Sequence, residues 1–216
     1  MSITRRQFLE GAGATALTMA AIAGFAIPAD AQTVDTADLL TAGPLGDEVL
    51  GSADAPVTIV EYASMTCGHC AAFATQTFPE MKKKYIDTGK VRFILREFPL
   101  DPLAAAAFML ARCAPKDQYF NFVDLFFEKQ KDWAYTDDPV TSMFDLAKQT
   151  GFTQESFQAC LTNQDLLDGI NAVKDRGAQK FAVDSTPTFF VNGQVVRGAK
   201  SLEEFDKILE PLLAGK

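Results

Sequence analysis

The chain is poor in the residues on which reactive chemistry rests: its 216 residues include one histidine, His69, and four cysteines. Basic residues are also outnumbered, 20 Lys and Arg against 28 Asp and Glu, for a formal net charge of −8. An acidic protein of this size repels polyanions, which argues against nucleic acid or an anionic membrane as a partner. Beyond residue 31 no apolar run is long enough to cross a bilayer. Repeats and low-complexity tracts are missing too, so the length points to one domain, or one domain with an insertion. No cysteine precedes Cys67, so a lipidated N-terminal cysteine is not expected.

Residues 1–31 read as a targeting segment rather than as part of the fold. Thr4-Arg5-Arg6-Gln7-Phe8-Leu9 is a twin-arginine pattern, with Glu10 standing where a lysine is more usual. A weakly apolar stretch from Gly11 to Ile27 and the small-x-small triplet Ala29-Asp30-Ala31 complete a Tat-type signal peptide. The other reading, a membrane anchor, is disfavoured because the stretch is short and rich in Gly and Ala. Cleavage after Ala31 removes Arg5, Arg6, Glu10 and Asp30, which sum to zero, so the mature chain keeps its charge. Its expected destination is the periplasm, where cysteine pairs are oxidised and stay so.

What the chain does have is Cys67-Gly68-His69-Cys70, preceded by the apolar run Val57 to Tyr62. Two cysteines at this spacing, where a strand gives way to a helix, mark a thioredoxin-like redox centre. The first N–H groups of a helix lack internal partners and carry the positive end of its dipole, so sulfur placed there is favoured as thiolate. Cys67 is then the expected nucleophile and Cys70, one turn in, the resolving thiol. His69, as imidazolium or donor, would favour the Cys67 thiolate further. A structural disulfide or half of a zinc site are the alternatives. Zinc takes four ligands, and the remaining cysteines, Cys113 and Cys160, lie far along the chain. Haem attachment needs histidine after the second cysteine, where Ala71 stands.

Element by element, 32–55 reads as a polar arm broken by glycines. Val57–Tyr62 reads as a central strand, followed by a helix past Phe73 and Phe78 toward Tyr85, bent at Pro79. Val91–Phe98 reads as a parallel second strand. Helices are then expected at 103–114, 117–133, 141–150, 154–161 and 165–183. Thr188–Val191 and Gln194–Arg197 flank Asn192-Gly193, a hairpin signal, and Ser201-Leu202-Glu203-Glu204 opens a last helix to about Leu209. The fold class is therefore α/β, a thioredoxin fold split by an all-helical insertion. Its expected limits are 56–100 and 176–216 for the thioredoxin-like part and 101–175 for the insertion.

On Cys67-Gly68-His69-Cys70, Glu61, Thr186-Pro187 and the helical block, the mature chain resembles the DsbA family of periplasmic thiol–disulfide oxidoreductases. Met65-Thr66 and the extra pair Cys113 and Cys160 resemble its alpha-proteobacterial branch most. Gly68 replaces the proline of the common DsbA motif and gives the dipeptide of disulfide isomerases. The resemblance implies a buried Glu61 that relays protons to Cys70, and a cis Pro187 whose neighbour Thr186 pairs with extended substrate. In an oxidising compartment Cys113 and Cys160, both read as buried, are expected to form a structural disulfide, with two free buried thiols as the alternative.

The expected activity is oxidation of reduced exported proteins, with reoxidation by a DsbB-type membrane oxidase and no cofactor or metal. An isomerase or reductase is the runner-up. Related isomerases usually carry a dimerisation domain, for which the arm is too short, so a monomer is expected. A dithiol metal-handling protein is the third reading, separable by metal titration of the reduced protein.

Overall fold

A computed structural model describes residues 33–115 and 117–215; the twin-arginine pattern and the cleavage triplet lie outside the described residues. The stretch expected to be a loop at 32–55 instead contains two short elements. Helix α1 (Thr36–Leu40) starts where the Asp35 carboxylate accepts from the Asp38 N–H at 2.8 Å, and strand β1 (Glu48–Leu50) pairs with the sheet edge. Neither spans enough residues to establish a hydrophobic period, and Leu39 is the one buried residue of α1.

Strand β2 (Val57–Ala63) is buried at every position but Thr58, as its β-branched, two-faced apolar run requires. After it come α2 (Gly68–Ala72) and α3 (Phe78–Met81), joined by a π turn at Phe73–Thr77 and followed by another at Lys82–Ile86. Pro79 has no N–H to give to the ladder, and the wider turns on either side accommodate it. Strand β3 (Val91–Glu97) returns parallel to β2, in register from Val57 opposite Val91 to Ala63 opposite Glu97.

Helix α4 (Pro102–Cys113) is capped by Asp101, which accepts from the Ala104 N–H at 2.8 Å. The single helix expected at 117–133 is two, α5 (Tyr119–Glu128) and α6 (Gln130–Ala134), broken at Lys129. The Trp133 indole N–H donates to the Phe126 carbonyl at 2.8 Å across the break, and Gln130 turns inward to carbonyls beside Cys67. Helices α7 (Pro139–Ala147), α8 (Gln154–Leu161) and α9 (Gln164–Phe181) are capped by Asp138, Thr153 and Asn163. The last runs unbroken across residues 175 and 176 and brings the chain back to the sheet.

Strands β4 (Thr188–Val191) and β5 (Gln194–Arg197) form the Asn192-Gly193 hairpin, both turn residues having the positive φ such turns need. Helix α10 (Leu202–Ala214) opens with the Ser201–Glu204 capping box and continues beyond Leu209 despite Pro211. Leu212 and Leu213 still pack on the core there, which offsets the lost ladder bond.

The sheet order is β1-β3-β2-β4-β5, parallel only at β2–β3. Alternation along β2 sends Val57, Ile59 and Ala63 to one core, with Phe73, Phe189 and Phe205, and Val60 and Tyr62 to the other. On the second face α9 comes close because Gly177 has no side chain: a Cβ there would lie 2.7 Å from the Tyr62 ring. Buried arginines fasten the arm. Arg96 bonds Asp47 at 2.9 and 3.0 Å and the Tyr62 hydroxyl at 3.1 Å. Arg112 of α4 bonds Glu97 at 2.6 Å and Glu48 at 2.9 Å, joining insertion, sheet and arm.

Candidate active site

Cys67 is the N-cap of α2, in extended conformation, with its own N–H donating to the Ser64 carbonyl at 3.1 Å. Its sulfur makes no full capping hydrogen bond but stands at the helix N-terminus, where the unpartnered N–H groups of the first turn favour negative charge. Cys67 is half-buried and Cys70 buried, with Gly68 and His69 exposed between them. The Cys70 thiol and the backbone N–H groups of His69 and Cys70 donate toward the Cys67 sulfur and outweigh its partial burial, holding its pKa down at about 5. Burial pushes the Cys70 thiol well above its ordinary value, and its hydrogen bond to Cys67 and the nearby Glu61 carboxylate push it further. One thiol is thus held as thiolate and the other as thiol.

His69 contributes through its backbone N–H. The imidazole is exposed and makes no hydrogen bond among the described residues. Glu61, in the middle of β2 between Leu95 and Phe189, is 4% exposed. Burial first, and then the charge at Cys67, raises its carboxyl to about 8, so it is protonated at neutral pH.

The Thr186–Pro187 peptide bond is cis and lies beside the pair. The Thr186 carbonyl is 3.3 Å from the Cys67 sulfur and accepts from it in the thiol form. The Thr186 hydroxyl is buried with no hydrogen-bond partner among the described residues; turned toward Cys67 it is a further donor that favours the thiolate. Cys113 and Cys160 lie apart from this centre. They are joined in a disulfide between the last residue of α4 and the interior of α8, 47 residues apart in sequence. Cys160 is buried, but Cys113 is exposed, because α4 ends there and its last turn leaves the core.

Two residues near the pair are not marked in the sequence. The Gln130 side-chain amide, 5% exposed, donates to the Met65 carbonyl at 2.8 Å and to the Cys67 carbonyl at 3.0 Å, holding the loop that aims Cys67. Its only signal is a polar side chain three and four positions after Phe127 and Phe126, on their apolar stripe. The Tyr135 hydroxyl donates to the Thr66 carbonyl at 2.8 Å while its ring stays exposed. Among the described residues no three His, Cys, Asp or Glu side chains converge as metal ligands.

Comparison with known proteins agrees with this geometry. A family model described as thioredoxin matches residues 45–211. A protein-disulfide oxidoreductase of Rickettsia felis is 35% identical over 169 residues, 76% of this chain and 60% of that protein. Disulfide bond formation protein D of Bacillus subtilis is 31% identical over 176 residues, 79% of each chain. Among solved structures, Wolbachia pipientis alpha-DsbA1 superposes with a TM-score of 0.76 at 32% identity, over 82% of this chain and 96% of that one. The chain spans about 60% of the length of the Rickettsia felis relative. The mixed sheet, the inserted helices and a dithiol at a helix N-terminus define a thioredoxin-fold protein with a helical insertion. Within that class the chain belongs to the DsbA family, close to its alpha-proteobacterial branch.

Proposed function

We propose that the protein is a thiol–disulfide oxidoreductase that donates the Cys67–Cys70 disulfide to reduced exported proteins. The observation that carries this reading is the opposite displacement of the two thiols, Cys67 down to about 5 and Cys70 up. A reduced form that holds a stabilised thiolate is a good end state, so the disulfide is a strong oxidant.

A substrate thiolate attacks the Cys67 sulfur. The Cys67–Cys70 bond breaks, and Cys70 leaves as a thiolate that takes the proton of Glu61. A second substrate thiolate then attacks the substrate sulfur of the mixed disulfide, and Cys67 leaves as the stabilised thiolate. Two electrons have passed from the substrate dithiol to the protein, which is left as Cys67 thiolate and Cys70 thiol. During the exchange the Thr186 backbone beside Pro187 pairs with the extended substrate.

A DsbB-type membrane oxidase restores the disulfide, and the protein works as a periplasmic monomer exported by its Tat-type signal. Among the described residues no helix is long and apolar enough to cross a membrane. The Gly68-His69 dipeptide favours a second reading, an isomerase or reductase, and the reduction potential separates the two. The direct test mixes the oxidised protein with a reduced dithiol peptide. Stoichiometric oxidation is expected, with complete loss in Cys67→Ser; a fully active Cys67→Ser protein would refute the assignment.

A further inference from the structure

We infer that Asp124 is the outer station of a proton path that reaches Glu61 from solvent through a small cavity between β2 and α5. The inference rests on the reading above, in which Glu61 exchanges its proton with Cys70, and adds the route by which Glu61 communicates with water.

A cavity of about 20 Å³ lies against Glu61, and its wall is apolar, with Phe73, Phe93, Leu95 and Phe127 among its residues, except for two carboxyls, Glu61 and Asp124. A single water needs roughly 10–15 Å³ of such space and at least two polar partners. The space suffices for one water, and Glu61 and Asp124 are the lining residues whose side chains carry polar groups that could hold it. Asp124 also borders a second space, an open groove of about 510 Å³ shared with Lys82, Asp87 and Glu128. One acidic residue thus borders both the small cavity and the surface groove.

The electrostatics run in the same sense. The charged groups that face Asp124 are Lys82 and Asp87 from the π turn and its end, Glu128 on its own helix, and Glu61 across the cavity. Partial desolvation where Asp124 meets the core raises its carboxyl to about 6, outweighing Lys82, itself paired with Asp87 at 2.6 Å, which lowers it. The groove side keeps Asp124 exposed to water. Cys70 lies well above 9, Glu61 at about 8 and Asp124 at about 6, a sequence that falls toward solvent. A proton entering at Asp124 moves downhill to Glu61 and on to the Cys70 thiolate. The reverse step is the demanding one. To close the disulfide, Cys70 loses its proton to the Glu61 carboxylate, the Cys70 sulfur attacks Cys67 in a mixed disulfide, and the partner thiolate leaves. Glu61 is mostly protonated at neutral pH, so that closure requires a proton to leave the protein. Asp124, ionised above pH 6, is the acceptor at the exit.

The test follows closure of the Cys67–glutathione mixed disulfide by rapid mixing from pH 5 to 8, in wild type, Asp124→Asn, Asp124→Glu and Glu61→Gln. Asp124→Asn should slow closure roughly tenfold or more, as loss of a proton-transfer group does. It should also abolish the limb of the pH profile near 6, while the Cys67 thiolate still titrates at about 5. Asp124→Glu, or added acetate small enough for the groove, should restore the rate. If Glu61→Gln slows closure while Asp124→Asn retains the wild-type profile, the path through Asp124 is wrong and the Glu61 reading stands. If Glu61→Gln also leaves closure unchanged, the Glu61 reading itself fails.

Discussion

At the scale of single residues, the site divides the work between backbone and side chain. The groups that hold Cys67 as thiolate are the Cys70 thiol, two main-chain N–H groups and, once turned toward the sulfur, the Thr186 hydroxyl; of these only the two side chains can be deleted by substitution. Cys70→Ala should therefore raise the Cys67 midpoint, read as thiolate absorbance in the reduced protein, because it removes the strongest donor. His69→Ala keeps the residue's N–H and should move the midpoint upward by less than about one unit, roughly 1.4 kcal/mol. A larger shift would mean that the imidazole, not the helix terminus, controls the thiolate. Cys67, Cys70 and Glu61 were legible in the sequence because rare residue types stand at a fixed spacing or interrupt an apolar strand. Gln130 and Asp124 were not: Gln130 opens the five-residue helix α6 and Asp124 lies on the phenylalanine-rich α5, and what each side chain faces depends on what its helix packs against.

At the scale of elements, long apolar runs declared themselves and short or interrupted ones did not. Strands β2, β3, β4 and β5 and the capped helices follow from period, caps and the Asn-Gly turn. Strand β1 has three residues and owes its place to pairing with β3 and to Arg112 and Arg96 reaching back to Glu48 and Asp47. The break between α5 and α6 comes with Gln130 placed under the Met65 and Cys67 carbonyls, a long-range contact that no local propensity encodes. Arg112 is the hinge pin of this assembly, its side chain 9% exposed and that of Glu97 fully buried. Arg112→Ala leaves the Glu97 carboxylate uncompensated and should cost about 3–5 kcal/mol in urea unfolding; a loss below about 1 kcal/mol would mean the arm and insertion are held by other contacts. The Cys113–Cys160 bridge closes a loop of 47 residues. Replacing both cysteines by serine should lower stability by up to about 4 kcal/mol on the chain-entropy model, with the Cys67 titration unmoved. An equal unfolding midpoint in the serine variant and the parent would contradict a structural role.

At the scale of the whole molecule, the charge states of the pair couple redox state to stability. In the reduced protein Cys67 has a folded pKa of about 5 against an ordinary value of 9.0. Between those values the unfolded state binds the extra proton, so stability from this group rises with pH through the window and is lost as pH falls through 5. Glu61 acts oppositely: raised from 4.5 to about 8, it costs stability progressively as pH rises between those values. Burial, its main cause, is present in both redox states, whereas the Cys67 effect exists only in the reduced one. Urea unfolding of the two forms from pH 4 to 9 should therefore show the reduced form gaining on the oxidised form above pH 5. A difference independent of pH would remove the physical basis for a strong oxidant. That basis is tested most directly by the reduction potential of the Cys67–Cys70 pair, measured by equilibration with glutathione at pH 7. A dithiol whose reduced form is stabilised in this way should lie at or above about −180 mV, the region of protein disulfide isomerase. A value near about −270 mV, the region of thioredoxin, would contradict the account and make the protein a reductant.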